Sequence, residues 1–328
     1  MASTKISDVI VPEVYNPYVI ARTVELNKII QSGIATRDPD LKFPAVGTQV
    51  KGGKTIHIPF WKSLVDAAGA DDEILSDSTG LTVNNIEAGE SIAAIHVRGK
   101  AWGANDLARY FSGDDPMAAI ADMNAAYWAN REQHVLLSTL AGITDPTSGV
   151  IKAHTLDISA GAGAAAVLSS EAMIDAMYLM GDHAAELAGI ICNSATMAKL
   201  VKLNLIDTVR DADSPVEYKF YMGKPVIVDD SLAASSGTNT VYFFGAGAVS
   251  FNEDTDGLEI TETDRDTLKG EDVLISRRAF VMHPRGLQWT GTASGTTPSN
   301  LELATPGNWA LADNIKNVPI TRLDCKLA

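Results

Sequence analysis

Hydrophobic and polar residues alternate over two stretches in the first third of the chain, and this period of two predicts two β-strands. In the first stretch Ile56, Ile58 and Phe60 fall on one face, because successive strand side chains point to opposite sides. The second stretch resumes at Ser91. The 29 residues of Lys62–Glu90 between them carry seven acids and one base. Most hairpins turn within about two to five residues, so the pattern predicts an unusually long, acidic hairpin.

A helical pattern follows between Asp115 and Gly142. Asp115 is a favourable N-cap, Pro116 suits the first helical position, and Gly142 is expected to end the helix. Such a helix is about 39 Å long at a rise of about 1.5 Å per residue. Polar residues near Asn130 interrupt its apolar positions. We therefore expect a spine for a flat, elongated body rather than a buried core helix.

The remaining pattern predicts an N-terminal arm and a compact α/β segment. The arm contains one helix, capped by Asn16 and ended by Gly33. In the α/β segment a buried strand at 188–192 separates two helices, the second of which is capped by Ser194. Further helices and strands are predicted at Ser169–Leu187, Lys219–Leu232, Asn239–Phe251 and Glu271–Trp289, and the tail Thr290–Ala328 is expected to be loosely structured.

Composition and charge narrow the class of protein. The chain has 328 residues, 46% of them hydrophobic and 20% charged, which is typical of a globular protein. Its net charge of −15 disfavours general nucleic-acid binding, because phosphate neutralisation requires a basic surface. The sequence predicts no signal peptide and no membrane-spanning segment.

The motifs that carry chemistry are absent or incomplete. The stretch Asn252–Thr263 resembles a calcium loop but lacks the required acids at its first and last positions. The six histidines show no zinc-ligand spacing, and Cys192 and Cys325 are predicted to be reduced thiols. No nucleophile motif or complete phosphate-binding loop is present. The sequence therefore predicts no catalytic site, no metal and no cofactor.

Five stretches together resemble a known family. They are SDVIVPEVYNPYV, IHIPFWKSL, DDEILSDS, RGKAWGANDLARYFSGDDPM and YWANREQHVLLSTLAGI. The chain resembles the major capsid proteins of tailed bacteriophages, over essentially its whole length and most strongly over Ser7–Ile143. This resemblance implies an α+β fold of the Hong Kong 97 type.

The resemblance also implies a division of the chain. The expected parts are an N-terminal arm at 1–50, an extended hairpin called the E-loop at 51–103, a P domain with the spine helix at 104–159 and 271–328, and an A domain at 160–270. In such proteins the E-loop lies over a neighbouring subunit. We expect the E-loop and arm to be mobile in a free subunit and ordered in a shell, since ordering each residue costs about 1–2 kcal/mol of conformational entropy.

A candidate assembly interface follows from the same resemblance. It combines two aromatic anchors, the acids of the hairpin tip and basic residues near the end of the chain: Trp61, Trp102, Asp71, Asp72, Glu73, Asp77, Arg277, Arg278 and Arg285. The arginines are expected to pair with the acidic tip of a neighbour. Covalent crosslinking through the E-loop is not expected, because its sole lysine, Lys62, lies at its base and no asparagine partner is evident.

The expected partners are those of a phage shell. They are further copies of the chain in pentamers and hexamers, a portal protein, and a separate scaffolding or decoration protein. The shell encloses double-stranded DNA without binding it specifically. The expected location is the virion, after assembly in the bacterial host cytoplasm.

Two other functions remain open at this point. The first is an encapsulin-like compartment, which would require a cargo-binding groove. The second is a soluble α/β enzyme built around Ile158–Asp230, with an anion site at Ser194, which would require a pocket lined by titratable groups.

Overall fold

A computed structural model describes most of the chain from residue 34 onward. The described residues are 34–38, 41, 45–46, 50–51, 54–64, 72–75, 77, 80–161, 163–210, 217–232, 237–254 and 261–327. The predicted helix that begins at Asn16 and the acid Asp71 lie outside them.

Helices and strands are mixed along the chain. The strands are β1 (Ala35–Arg37), β2 (Ala45–Val46), β3 (Val50–Lys51), β4 (Thr55–Trp61), β5 (Ala88–Asn105), β6 (Thr155–Asp157), β7 (Leu187–Cys192), β8 (Asp207–Arg210), β9 (Glu217–Tyr221), β10 (Lys224–Val228), β11 (Asn239–Gly245), β12 (Val249–Asp254), β13 (Thr261–Asp266), β14 (Glu271–Pro284), β15 (Leu287–Trp289), β16 (Trp309–Leu311) and β17 (Ile320–Cys325). The α-helices are α1 (Asp106–Ser112), α2 (Pro116–Ile143), α3 (Ser170–Tyr178), α4 (Ser194–Lys202) and α5 (Asn300–Leu303). Short 3-10 helices lie at Lys152–His154, Gly163–Ala166, Gly181–Glu186, Pro306–Asn308 and Ile315–Asn317.

Two large sheets organise these elements. The six-stranded sheet has the order β1-β12-β14-β5-β4, with β13 also paired to β14. The seven-stranded sheet has the order β6-β17-β11-β7-β10-β9-β8. The predicted hairpin is confirmed as the antiparallel pair β4 and β5, in register from Thr55 opposite Ala94 to Trp61 opposite Ala88. The return strand begins three residues earlier than the alternation predicts.

The predicted spine helix is confirmed, but part of it belongs to the core. Asp115 caps α2 by accepting a hydrogen bond from the Met117 amide, and Pro116 is its first residue. From Trp128 onward one face is buried against the six-stranded sheet and the tail. The prediction of a helix outside the core is therefore wrong for the second half of α2. Gly142 does not end the helix, since it lies within α2, where an added Cβ would overlap the carbonyl oxygen of Leu303.

Two predicted elements in the α/β segment are shorter than expected. The helix predicted to run to Leu187 ends at Tyr178, and Gly181, with a φ of 59°, precedes a 3-10 turn. The strand predicted over 239–251 is divided by Gly247, whose φ is 68°. Its halves, β11 and β12, belong to different sheets. Left-handed glycines thus redirect the chain at both places.

The N-cap of α4 is Asn193, not Ser194. The Asn193 side chain accepts a hydrogen bond from the Thr196 amide at 2.8 Å. Ser194 is the first helical residue, and its amide donates to the Asp230 carboxylate at 2.8 Å. Both residue types are favourable caps, so sequence preference alone did not distinguish them.

The tail is ordered, contrary to the prediction. Helix α5 carries a capping box in which Ser299 and Glu302 each bond the other's backbone. The last strand, β17, lies between β6 and β11 inside the seven-stranded sheet, and Leu323 and Cys325 on it are fully buried. The polar run before residue 300 concealed this apolar end of the chain.

Candidate assembly surfaces

The hairpin of β4 and β5 extends beyond its paired strands. At its base the Lys62 amide donates to the Glu87 carbonyl at 3.0 Å, and the two side chains form an ion pair at 2.8 Å. Further out, the Thr82 amide donates to the Glu73 carboxylate at 3.0 Å. Hydrogen bonding from the Thr82 side chain and from this amide lowers the pKa of Glu73. We call residues 72–87 the hairpin tip, in which the described residues are 72–75, 77 and 80–87.

Large apolar side chains on the hairpin tip face solvent. Ile74 is 96% exposed, Val83 90% and Leu75 80%. Trp61, Leu64, Leu81 and Ile86 are also exposed. Burying one such side chain is worth about 1.5–3 kcal/mol, and contiguous exposed apolar groups of this kind mark interaction surfaces. The hairpin tip is therefore suited to contact another molecule.

The acids that were predicted as interface residues are exposed on the same tip. Asp72, Glu73 and Asp77 are all exposed. Glu73 is hydrogen-bonded to Thr82, whereas Asp72 and Asp77 have no ion-pair partner within the described ranges. The tip thus presents unpaired carboxylates beside exposed apolar side chains.

The two tryptophans proposed as anchors are in different environments. Trp61 ends β4 and is 69% exposed. Trp102 is half-buried and packs edge-on against Tyr127 of α2, with ring centroids 5.0 Å apart. Trp61 remains available to a neighbour, while Trp102 has a partner within the subunit.

Two of the three proposed arginines are engaged within the subunit. Arg277 pairs with Glu262 at 2.6 Å. Arg278 pairs with Glu132 at 2.9 Å and with Glu253 at 3.1 Å. Burial is the main cause of the raised pKa of Glu132, which Arg278 opposes.

Arg285 differs from these two. It is exposed at the end of β14 and makes no ion pair with any described residue. It lines a cavity of about 680 Å³ at the hairpin base, together with Phe60, Trp61 and His283.

Sequence reasoning missed a second group of cations, Arg98 and Lys100 on β5 and Arg131 on α2. None of the three forms an ion pair with a carboxylate in the part of the chain that the structure describes. Strand alternation places Arg98 and Lys100 on one face, and Arg131 lies four residues, about one helical turn, after Tyr127. These spacings were visible in the sequence, but only the structure shows that β5 and α2 lie together.

A second exposed apolar surface lies at one end of the six-stranded sheet. Leu107, Tyr110 and Phe111 of α1 are exposed, and so is Leu268 in the turn between β13 and β14. The Asp106 amide donates to the Gly270 carbonyl at 2.8 Å, which holds α1 beside this turn. We call these four apolar residues the end patch.

The residues proposed for an enzyme site do not form a reactive or anion-binding group among the described residues. The Ser194 amide is occupied by Asp230 of the same chain. Burial raises the pKa of the Cys192 thiol to about 12, which keeps it in the unreactive thiol form. No group of three metal-ligating side chains occurs among the described residues. None of the helices in these ranges is long and apolar enough to cross a membrane.

Comparison with known proteins identifies a matching family and a similar relative. A family model described as Gp13-like, major capsid protein 13-like, matches residues 81–319. The major capsid protein of Bacillus phage SPP1 is 42% identical over 333 aligned positions, covering 100% of this chain and 99% of that protein.

Solved structures agree at the level of fold. The cyanophage Pam1 capsid subunit matches with a TM-score of 0.56 at 10% identity, covering 97% of this chain and 96% of that one. The SrpI encapsulin of Synechococcus elongatus matches with a TM-score of 0.56 at 8% identity, covering 100% and 98%. The predicted α+β fold of the Hong Kong 97 type is confirmed.

Proposed function

The chain belongs to the Gp13-like family of major capsid proteins, and we propose that many copies of it assemble into a closed icosahedral shell around the double-stranded DNA of a tailed phage. The observation that carries this proposal is the exposed apolar hairpin tip. Within the described part of the subunit, Ile74, Leu75 and Val83 are almost fully exposed to solvent. Their hydrophobic surface is buried only when another molecule covers it.

The neighbouring subunit is the proposed cover. A shell subunit gains stability from contacts between copies in addition to its own core. Ordering an arm costs about 1–2 kcal/mol per residue, and burial of Ile74, Leu75 and Val83 against a neighbour offsets part of that cost. The proposed interface includes Trp61, Asp71, Asp72, Glu73, Asp77 and Arg285. Trp102, Arg277 and Arg278 instead make contacts within the subunit.

The division into four parts is likewise proposed. The arm is assigned to 1–50, the E-loop to 51–103, the P domain to 104–159 and 271–328, and the A domain to 160–270. Most strands of the seven-stranded sheet fall in the proposed A domain, and α2 with β14 falls in the proposed P domain. Strands β12 and β13 lie within 160–270 but pair in the six-stranded sheet, and β6 lies within 104–159 but pairs in the seven-stranded sheet. Strand β17 reaches into the seven-stranded sheet, so the C-terminal segment contributes to both.

As a capsid protein the chain is a component of the virion. We propose that it forms pentamers and hexamers, meets a portal protein and a separate scaffolding or decoration protein, and assembles in the host cytoplasm. Its net charge of −15 disfavours tight electrostatic binding of the DNA that the shell is proposed to enclose. The proposed role is structural, without catalysis. The encapsulin likeness, at 8% identity, concerns the fold alone.

Electron microscopy and light scattering of the purified protein test this function. Closed shells, hexamer sheets or tubes are expected. A stable monomer or dimer of about 35–70 kDa at all concentrations, with or without scaffolding protein, would refute self-assembly and return the enzyme alternative to consideration.

A further inference from the structure

A small cationic pocket lies between β5 and the middle of α2. Arg98 and Arg131 line it together with Tyr127, Trp128 and Asn300, and its volume is about 250 Å³. The Arg131 guanidinium is 5.4 Å from the centroid of the Tyr127 ring, and Arg98 lines the same pocket. Guanidinium groups beside aromatic surfaces are suited to binding carboxylates.

Among the described residues, Arg98 forms hydrogen bonds with neutral groups and none with a carboxylate. Its Nη2 donates to the Pro298 carbonyl at 2.6 Å and to the Asn300 side-chain oxygen at 3.1 Å. Its Nε is buried and has no hydrogen-bond partner in the described structure. Burial lowers the pKa of Arg98, and Glu302 partly offsets this effect. A partly buried cation without a bonded carboxylate is costly unless an anion completes the site.

Glu302 is not a bonded carboxylate partner of Arg98. Its carboxylate accepts hydrogen bonds from the Ser294 amide, the Ser299 amide and the Ser299 hydroxyl. These bonds lower the pKa of Glu302 to about 2 and hold its charge in the capping box. Glu302 therefore acts on Arg98 only from a distance.

The cations near Arg98 differ in whether they have carboxylate partners. Arg278 is opposite Arg98 in the ladder and has two carboxylate partners. Arg131, which lines the pocket with Arg98, has none among the described residues. Two arginines that line one pocket without an ion-pair partner among the described residues are unusual in a chain with a net charge of −15, so the bonded anion is expected from outside the subunit.

We propose that this pocket receives the carboxylates of the hairpin tip of a second copy, with Asp72 and Asp77 pairing with Arg98 and Arg131 while Ile74 or Leu75 packs on the Tyr127 ring. This inference rests on the proposed function and names the surface on which the tip docks. The tip and the pocket are complementary, because both carry unpaired charges of opposite sign beside exposed or half-exposed apolar groups.

The tip of the same subunit lies too far away. Strand β5 runs without interruption from Ala88 to Asn105. Ala88 and Arg98 are therefore about 33 Å apart at about 3.3 Å per residue, and the tip lies beyond Ala88 at the far end. A second copy must supply the carboxylates. Nucleic-acid phosphate is the competing ligand, but the net negative charge disfavours it.

Charge reversal provides the first test. Arg131→Glu changes an exposed cation, and Lys152→Glu is the control at an exposed cation outside the pocket. Full-length proteins are assembled at several concentrations and measured by light scattering. Arg131→Glu is expected to raise the critical assembly concentration by about threefold to tenfold, whereas Lys152→Glu leaves it within about twofold; a tenfold change corresponds to about 1.4 kcal/mol.

A charge swap identifies the partner. The double variant Asp72→Arg, Asp77→Arg should weaken assembly. Adding Arg131→Glu to this double variant should restore assembly. If the wild type assembles and all these variants assemble equally well, the docking inference is wrong and the proposed function stands. If the wild type never assembles, the proposed function itself fails.

Crosslinking gives a second readout that does not depend on charge. Arg131→Cys with Asp72→Cys is treated with a short bis-maleimide before and after assembly. Both native cysteines are buried and should not react. Crosslinked multimers are expected only in shells, and Lys152→Cys with Asp72→Cys should give none. Equal crosslinking of both pairs would overturn the inference. Arg131→Glu shells that assemble normally but lose DNA would also overturn it, because nucleic-acid phosphate would then be the ligand of the pocket.

Discussion

Trp128 donates its indole N–H to the Ser276 hydroxyl at 2.7 Å, and both residues are almost fully buried. This bond joins the middle of α2 to β14, at the point where the exposed first half of the helix meets its buried second half. The Asn124 side chain donates to the same hydroxyl at 3.3 Å. The spine helix is thus fixed to the sheet by a polar contact inside an apolar interface.

Trp128→Phe should destabilise the free subunit by about 1–3 kcal/mol, because it removes a buried hydrogen bond and leaves unfilled volume. The measurement is urea unfolding of the unassembled protein. Tyr110→Phe, at an exposed position, should change the free energy of unfolding by less than about 0.5 kcal/mol. Equal effects of the two variants would show that the Trp128–Ser276 bond contributes little.

Replacing Ile74, Leu75 and Val83 with serine should separate assembly from folding. These side chains are exposed in the subunit, so the free energy of unfolding should stay within about 0.5 kcal/mol of the wild type. The critical assembly concentration should rise at least about tenfold, since apolar contacts between copies are lost. Leu268→Ser, in the end patch, is the comparison variant, because it removes an exposed leucine outside the hairpin. Normal assembly of the triple variant would exclude the tip as an apolar docking element.

The hairpin should be cleaved in free subunits and protected in shells. Lys62 and the exposed tip are accessible to protease in the isolated chain, and a covering neighbour removes that access. Trypsin, which cleaves at Lys62, and Glu-specific protease, which cleaves at Glu73 and Glu87, can be compared on both forms by mass spectrometry. Resistance of residues 62–90 in the free subunit would contradict the expected mobility.

Gly142→Ala should destabilise the subunit despite the higher helix propensity of alanine. The propensity gain is about 1 kcal/mol, but the added Cβ would overlap the Leu303 carbonyl and force α5 away from α2. A net loss of about 1–3 kcal/mol is expected. Gly307→Ala, where nothing lies within 4 Å of the added Cβ, is the control. A stabilised Gly142→Ala protein would show that α5 moves freely.

Stability should fall as the pH drops from about 6.5 to about 4. Burial lowers the pKa of His283 to about 4, and a hydrogen bond to the Leu287 backbone opposes this effect only in part. The ring is also within 2.7 Å of the Ser91 hydroxyl. The folded protein keeps this ring neutral while the unfolded chain takes up a proton, so protonation favours unfolding across this window. His283→Gln should reduce the slope of unfolding free energy against pH by up to about 1.4 kcal/mol per pH unit. An unchanged slope would exclude His283 as a contributor.

The sequence was most informative where local signals agree with the fold. Asp115 and Pro116 located the start of α2, and the alternation from Ile56 located β4, because caps and strand faces are set by neighbouring residues. The tail was misjudged because β17 is stabilised by distant strands. The burial of Trp128 likewise depends on Ser276, which is far away in sequence.

The candidate site was predictable only in part. The excess of acids at Asp72, Glu73 and Asp77 was visible in the sequence, and the structure shows these side chains to be exposed. Their cationic partners were assigned to Arg277, Arg278 and Arg285, and the first two of these have carboxylate partners within the subunit. Which cations lack partners depends on tertiary packing, which no local pattern reports.

A side-chain-resolution cryo-electron microscopy reconstruction of assembled particles tests the central claim most directly. The account predicts a closed shell in which Ile74 and Leu75 are buried against a neighbouring subunit and Asp72 approaches the Arg98–Arg131 pocket of that neighbour. A hairpin tip that extends into solvent, or that folds back on its own subunit in a complete shell, would contradict it.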